Sequence, residues 1–228
     1  HSTTRQGGSV TQRTFGIDEA GRGPILGPMA LAVVAVDEAG AAELIRLGVQ
    51  DSKKFGSDAR ARRLRAELAD IIPTLADARC VLVTVPAIDE HTFQGRLNHL
   101  ERDVAADLLI ALAALLLDLI IAIVANLFRP LATRYPRLTA LDRGEAAHPA
   151  VAAASILAKH ARDEAFAHIV ARYEPEFGPI TGGGYINPPT RRFLDAYHAR
   201  HGHLPPEARR SWGAPRDPAQ QLPLHPQT

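Results

Sequence analysis

A chain of 228 residues has room for one sizeable domain, or one domain with a C-terminal appendage, and its 46% hydrophobic and 22% charged residues are ordinary for a soluble globular protein. A formal net charge of +1 excludes the global basic field of a histone-like binder, so any nucleic-acid contact must come from a local patch. The single cysteine, Cys80, excludes an intramolecular disulfide and a cysteine-based zinc site, which fits a reducing, cytoplasmic compartment.

In chain order, residues 1–12 are polar, without the apolar core of a signal peptide, and are expected to be a disordered lead-in. Residues 11–17 and 29–36 read as strands on either side of the turn Gly21-Arg22-Gly23-Pro24. Residues 57–72 have helical periodicity, with Leu64, Leu68, Ile71 and Ile72 on one face. Residues 78–85 read as a third strand, in whose apolar run Cys80 would be a buried, inert thiol. Asn98 is placed to cap a helix, with Glu101 completing a capping box, and that helix is expected to reach about Leu115.

The following stretch, 108–128, is apolar enough in length to raise a membrane span. Asp118 near its centre and the amphipathic start at Glu101, Arg102 and Asp103 favour instead a buried helix followed by a central strand, and no membrane is expected as a partner. An isoleucine-rich strand is placed between Leu115 and Ala125, and another at 137–141. Pro149 suits the first turn of a long helix to about Arg172. Gly182-Gly183-Gly184-Tyr185 reads as a loop, and 189–201 as a last helix ending at Gly202. The Pro-rich tail from Pro205 is expected to pack loosely. From Thr190 onward six arginines face three acids, a candidate basic patch for phosphate. His198, His201 and His203 lie among those arginines and read as solvent-facing rather than as a zinc site. Strands followed by alternating helices and strands make the fold class α/β.

Chemistry concentrates at Gly16-Ile17-Asp18-Glu19-Ala20-Gly21-Arg22-Gly23-Pro24. Strand alternation sends Asp18 and Glu19 to opposite faces, so a merely solvated Glu19 is one reading. Ligation of a hard cation such as Mg²⁺ or Mn²⁺, which takes oxygen donors, is the other. The adjacent glycines let backbone approach another molecule closely.

This string resembles the opening signature of the ribonuclease HII family. Further matches come in order: Asp51-Ser52-Lys53-Lys54, then Arg143-Gly144-Glu145-Ala146-Ala147-His148-Pro149, then Ala152-Ala153-Ala154-Ser155-Ile156-Leu157-Ala158-Lys159 with Arg162-Asp163. Gly183-Gly184-Tyr185, and Leu204-Pro205-Pro206 with Arg210-Ser211-Trp212, complete the series. The resemblance implies a ribonuclease H-like mixed sheet flanked by helices, with a catalytic domain at 13–188 and a C-terminal helix and basic tail at 189–228. It implies hydrolysis of RNA in RNA/DNA hybrids, and of ribonucleotides embedded in duplex DNA, with Mg²⁺ or Mn²⁺ in a two-metal mechanism. Asp18, Glu19 and Glu145 would be metal ligands, Glu145 standing where the family usually has aspartate. The backbone of Gly21-Arg22-Gly23 would meet the ribose 2′-hydroxyl, Tyr185 the neighbouring sugar, and Lys53 and Lys54 the phosphates. Lys159, Arg162 and Asp163 are explained by ionic pairing along their helix. Protein partners are not indicated.

One departure stands out. The family's third acid ends a strand before the second acidic loop, and here that place falls on Ile123 or Val124. If the strand is 113–117, Asp118 ends it and can be the third acid. If it is 119–124, as the β-branched residues favour, Asp118 stands at its start, and the chain is a hybrid-binding relative with a defective metal site.

Overall fold

The computed structural model describes residues 11–50, 55–142 and 148–212. Five strands form one sheet: β1 (Thr14–Ala20), β2 (Met29–Val36), β3 (Asp77–Val83), β4 (Leu119–Ile123) and β5 (Leu138–Leu141), in the order β3-β2-β1-β4-β5. β1 pairs antiparallel with β2 and parallel with β4. The sheet is therefore mixed, as expected. β2, Met-Ala-Leu-Ala-Val-Val-Ala-Val, is buried along its whole length because helices cover both faces. Ala30, Ala32, Val34 and Val36 pack against α6 (Pro149–Phe177) on one face. Leu31, Val33 and Ala35 pack with Phe15 and Ile17 against α4 (Leu97–Ala111) on the other.

Several boundaries differ from the sequence reading. β1 begins at Thr14 and runs on through both carboxylates, because its register with β2 continues to Ala20 opposite Ala30. Besides a single turn described below, two helices were not expected: α1 (Glu38–Arg46), capped by Asp37, and α3 (Val85–Phe93), capped by Thr84. Between them lies α2 (Ala59–Leu75). α4 starts one residue before Asn98, with Arg96 at the cap position and no side-chain capping bond. Asn98 and Glu101 instead receive Arg22.

α4 also stops at Ala111 rather than near Leu115, where the Arg13 guanidinium takes the Leu112 and Ala113 carbonyls and Ala113 adopts a positive φ. The long apolar stretch is thus divided among α4, a turn with exposed Leu115, Leu116 and Leu117, β4 and the single turn α5 (Ala125–Phe128). Among the described residues no helix is long and apolar enough to cross a membrane. Cys80, expected buried, is an exposed residue on the edge strand β3. Its sulfur nevertheless leans toward the Leu157 carbonyl of α6, and that partial burial pushes the thiol pKa up to about 11.

The C-terminal residues depart most from expectation. α7 (Pro188–His201) packs Phe193, Leu194 and Tyr197 against Ile169 and Tyr173 of α6 and against Ile25 and Leu26. Beyond it, the chain does not lie loosely. Ala208 bridges to Leu26, the Gly27 amide donates to the Glu207 carbonyl, and the Asp89 carboxylate of α3 accepts from the Arg210 and Ser211 amides and the Ser211 hydroxyl.

Candidate active site

The site is built at the C-terminal end of β1. Gly16 lets the start of α6 come against that strand, since a Cβ there would lie 2.3 Å from Ala150 C and Val151 N. The alanines of α6 complete this close approach. Two residues further on, Asp18 is on the α6 face, 7% exposed, and its Oδ1 accepts from the Glu19 amide at 2.8 Å. Glu19, 4% exposed, turns with Phe15 and Ile17 toward α4, where Glu101 lies. Burying two carboxylates this thoroughly is costly unless charge compensates them, which marks the place as a site rather than packing.

The glycine loop follows at once. Gly21 has φ 84° and lies directly on the Arg162 side chain, so both the conformation and the space exclude a Cβ. Gly23 carries the Tyr185 ring, with Cε1 2.7 Å from where a Cβ would stand. The two arms expected to meet the sugar are therefore in contact. Arg162 holds the arms together by donating from Nη2 to the Leu26 carbonyl at 2.6 Å and the Gly183 carbonyl at 2.9 Å. Pairing along its own helix does not account for Arg162, and Asp163 also looks across, to Arg65 of α2 at 3.2 Å. The Arg22 side chain runs away from the loop to Asn98 Oδ1 and to the fully buried Glu101. Burial raises the Glu101 pKa to about 7; Arg22 opposes the shift and the Glu19 charge adds to it.

These elements enclose an open cleft of about 720 Å³ lined by Asp18, Glu19, the Gly21–Pro24 turn, Ser57, Ser155, Lys159, Arg162 and Tyr185. Two acids at the end of β1 line it, with a backbone-lined turn beside them and cations behind, which suits a sugar–phosphate chain better than an apolar ligand.

Asp118 does not join this group. The parallel register sets Thr14 beside Leu119 and Ile17 beside Ala122, so Asp118 precedes β4 at the end of the sheet away from Asp18. Its carboxylate accepts from the Leu115 amide at 2.7 Å, closing the turn before the strand. Continued by one residue, the same register sets Ile123, which is 4% exposed, level with Asp18. The structure thus takes the second of the two registers. Glu145, Lys53 and Lys54 lie outside the described residues. Among the described residues no three His, Cys, Asp or Glu side chains gather as a metal site. Asp18 and Glu19 both line the cleft and offer oxygen donors of the kind Mg²⁺ or Mn²⁺ takes, and an ion held there would need further donors from outside the described residues or from solvent.

The sequence reading missed Arg209, which is fully buried and donates to the carbonyls of Gly21, Arg22 and Gly27. It missed the role of Trp212 as well, whose Nε1 donates to the Gly23 carbonyl. Only the adjacency of Arg209 to the Arg210-Ser211-Trp212 motif could have signalled it.

The family model described as Ribonuclease HII matches residues 15–214. A Ribonuclease HII of Thermococcus sibiricus is 36% identical over 206 residues, covering 86% of this chain and 87% of the relative. The ribonuclease HII in the PCNA complex of Archaeoglobus fulgidus superposes with a TM-score of 0.71 at 29% identity, over 90% of this chain and 96% of that one. A more distant structure, Bst-RNase HIII in complex with Mn²⁺, shares the fold with a TM-score of 0.65 at 22% identity, over 84% of this chain and 63% of its own. Fold, motif order and these matches agree: the chain belongs to the ribonuclease HII family, whose members are ribonuclease H-type nucleases.

Proposed function

We propose that the chain hydrolyses the RNA strand of RNA/DNA hybrids and cuts at ribonucleotides embedded in duplex DNA. The observation that carries this reading is the contact of Tyr185 with Gly23 immediately beside the buried Asp18 and Glu19. A sugar held against the Gly21–Gly23 backbone would present its phosphate to the two carboxylates. The 2′-hydroxyl is the group that distinguishes RNA from DNA, and backbone amides are suited to read it because they ask nothing of the base. Tyr185 would pack on the adjacent sugar, and Lys53 and Lys54 would hold phosphates as point charges.

Asp18 and Glu19, with Glu145, would hold Mg²⁺ or Mn²⁺. A divalent ion, when bound there, supplies an activated water and neutralises charge developing at the leaving 3′ oxygen. Asp18 and Glu19 supply the negative charge that retains it, and Arg162 and Arg209 place positive charge behind the turn that receives the phosphate.

A second reading is favoured by one observation: Ile123 occupies the place level with Asp18 on the neighbouring strand. With one carboxylate fewer, the chain would bind hybrids yet turn over weakly or not at all. Incubating the protein with a labelled RNA/DNA hybrid, duplex RNA and duplex DNA, each with Mg²⁺ or Mn²⁺, separates the two. Fragments from the hybrid RNA strand alone support the nuclease. Selective hybrid binding without fragments supports the second reading. Equal treatment of all three duplexes contradicts both.

A further inference from the structure

We infer that Arg209 and Trp212 are positioning residues that aim the backbone of the glycine loop, and so set discrimination between ribose and deoxyribose; the inference rests on the function proposed above. Arg209 donates from Nη2 to the Gly21 carbonyl at 2.5 Å, from Nη1 to the Arg22 carbonyl at 2.8 Å and from Nε to the Gly27 carbonyl at 2.9 Å. Trp212 donates from Nε1 to the Gly23 carbonyl at 3.0 Å, and its ring lies 4.8 Å from the Arg209 guanidinium carbon. Three successive carbonyls of the loop are therefore drawn toward the C-terminal segment by two side chains.

A trans peptide sets its N–H opposite to its C=O. Fixing the Gly21 and Arg22 carbonyls toward Arg209 thus turns the Arg22 and Gly23 amides the other way, on a loop whose residues line the cleft. The planar fork of arginine is needed for this, since it presents several donors in fixed directions, whereas the three donors of an ammonium radiate from one freely rotating nitrogen. The C-terminal segment is itself held firmly enough to act as a template. Asp89 pins Arg210 and Ser211, the Arg209 amide donates to the Ile25 carbonyl, and Ala208 bridges to Leu26. Arg209 is wholly buried, so no other partner competes for its donors.

Two substitutions isolate the effect. Trp212→Phe removes the N–H while keeping a ring over Arg209, and Arg209→Lys keeps a cation while losing the fork. Affinities of the whole chain are measured, in chelator to prevent turnover, for a duplex carrying one ribonucleotide and for the same duplex in all-DNA form. The ribonucleotide preference is expected to fall roughly three- to tenfold in each variant, the worth of about one hydrogen bond, with all-DNA affinity held within about twofold. A role in stability alone would lower both affinities together or leave the ratio unchanged, and either result in a folded variant overturns the inference. Thermal unfolding checks folding, and Trp212→Phe stands as the test if Arg209→Lys does not fold. A wild type without ribonucleotide preference overturns the proposed function as well, whereas a wild-type preference that both variants retain overturns this inference alone.

Discussion

Gly16 shows how a single residue sets the approach of two elements. Any Cβ would meet backbone atoms of Ala150 and Val151, which cannot swing aside as a side chain can. Gly16→Ala should therefore destabilise the fold by about 1–3 kcal/mol, the usual range for overpacking, and denaturant unfolding checks it. An unchanged midpoint would mean that α6 shifts freely on β1. Glu101 gives a residue-scale prediction in pH. Its folded pKa of about 7 lies above the ordinary 4.5, so the folded chain holds a proton there that the unfolded chain releases earlier. Its stabilising contribution is complete below pH 4.5 and is lost as pH rises through 7. The loss amounts to roughly 3 kcal/mol. Glu101→Gln should flatten that part of the stability–pH profile of the metal-free protein, measured by urea unfolding at several pH values. An identical profile in the variant would show that Glu101 is ionised throughout.

At the scale of elements, strand register decides the chemistry. β4 was legible because Ile120, Ile121 and Ile123 are β-branched and buried strands favour them. That register is what removes Asp118 from the site, leaving it to close the turn at Leu115. Ile123→Asp would place a carboxylate level with Asp18. It is expected to raise Mn²⁺ affinity and hybrid cleavage by about tenfold or more, at a stability cost of about 1–3 kcal/mol for the buried polar group. Calorimetry and a cleavage time course read the two effects, and a loss of both would mean that the apolar side chain is required there. The elements that escaped the sequence reading are short and follow a strand almost at once. α1 has nine residues and follows β2 after Asp37 alone, and α3 follows β3 after Thr84 alone, so its apolar residues merged with the strand. The capping box at Asn98 and Glu101 was legible as a pattern but used otherwise. Nothing local reveals that Arg22, 76 residues away from Asn98, takes its side-chain oxygen.

Across the whole molecule, the site joins residues from both ends of the described chain. Asp18, Glu19 and the glycine loop could be read directly, since buried acids beside glycines are a local signal. The contributions of Arg209 and Trp212 could not, because a hydrogen bond spanning 188 residues leaves no trace in spacing. The expectation of a loose tail failed for the same reason: proline-rich composition describes a segment alone, while Asp89 and Leu26 supply what holds this one. A duplex bearing one embedded ribonucleotide, offered to wild type and to Asp18→Asn with Mg²⁺ or Mn²⁺, tests the proposal of a ribonucleotide-directed, metal-dependent nuclease centred on Asp18. The wild type is expected to make a single cut at the ribonucleotide, abolished by chelator, and the variant to cut at least about a hundredfold more slowly, or roughly 2.7 kcal/mol of barrier. No cutting by the wild type, cutting that survives chelation, or an Asp18→Asn variant of near-normal rate would contradict it.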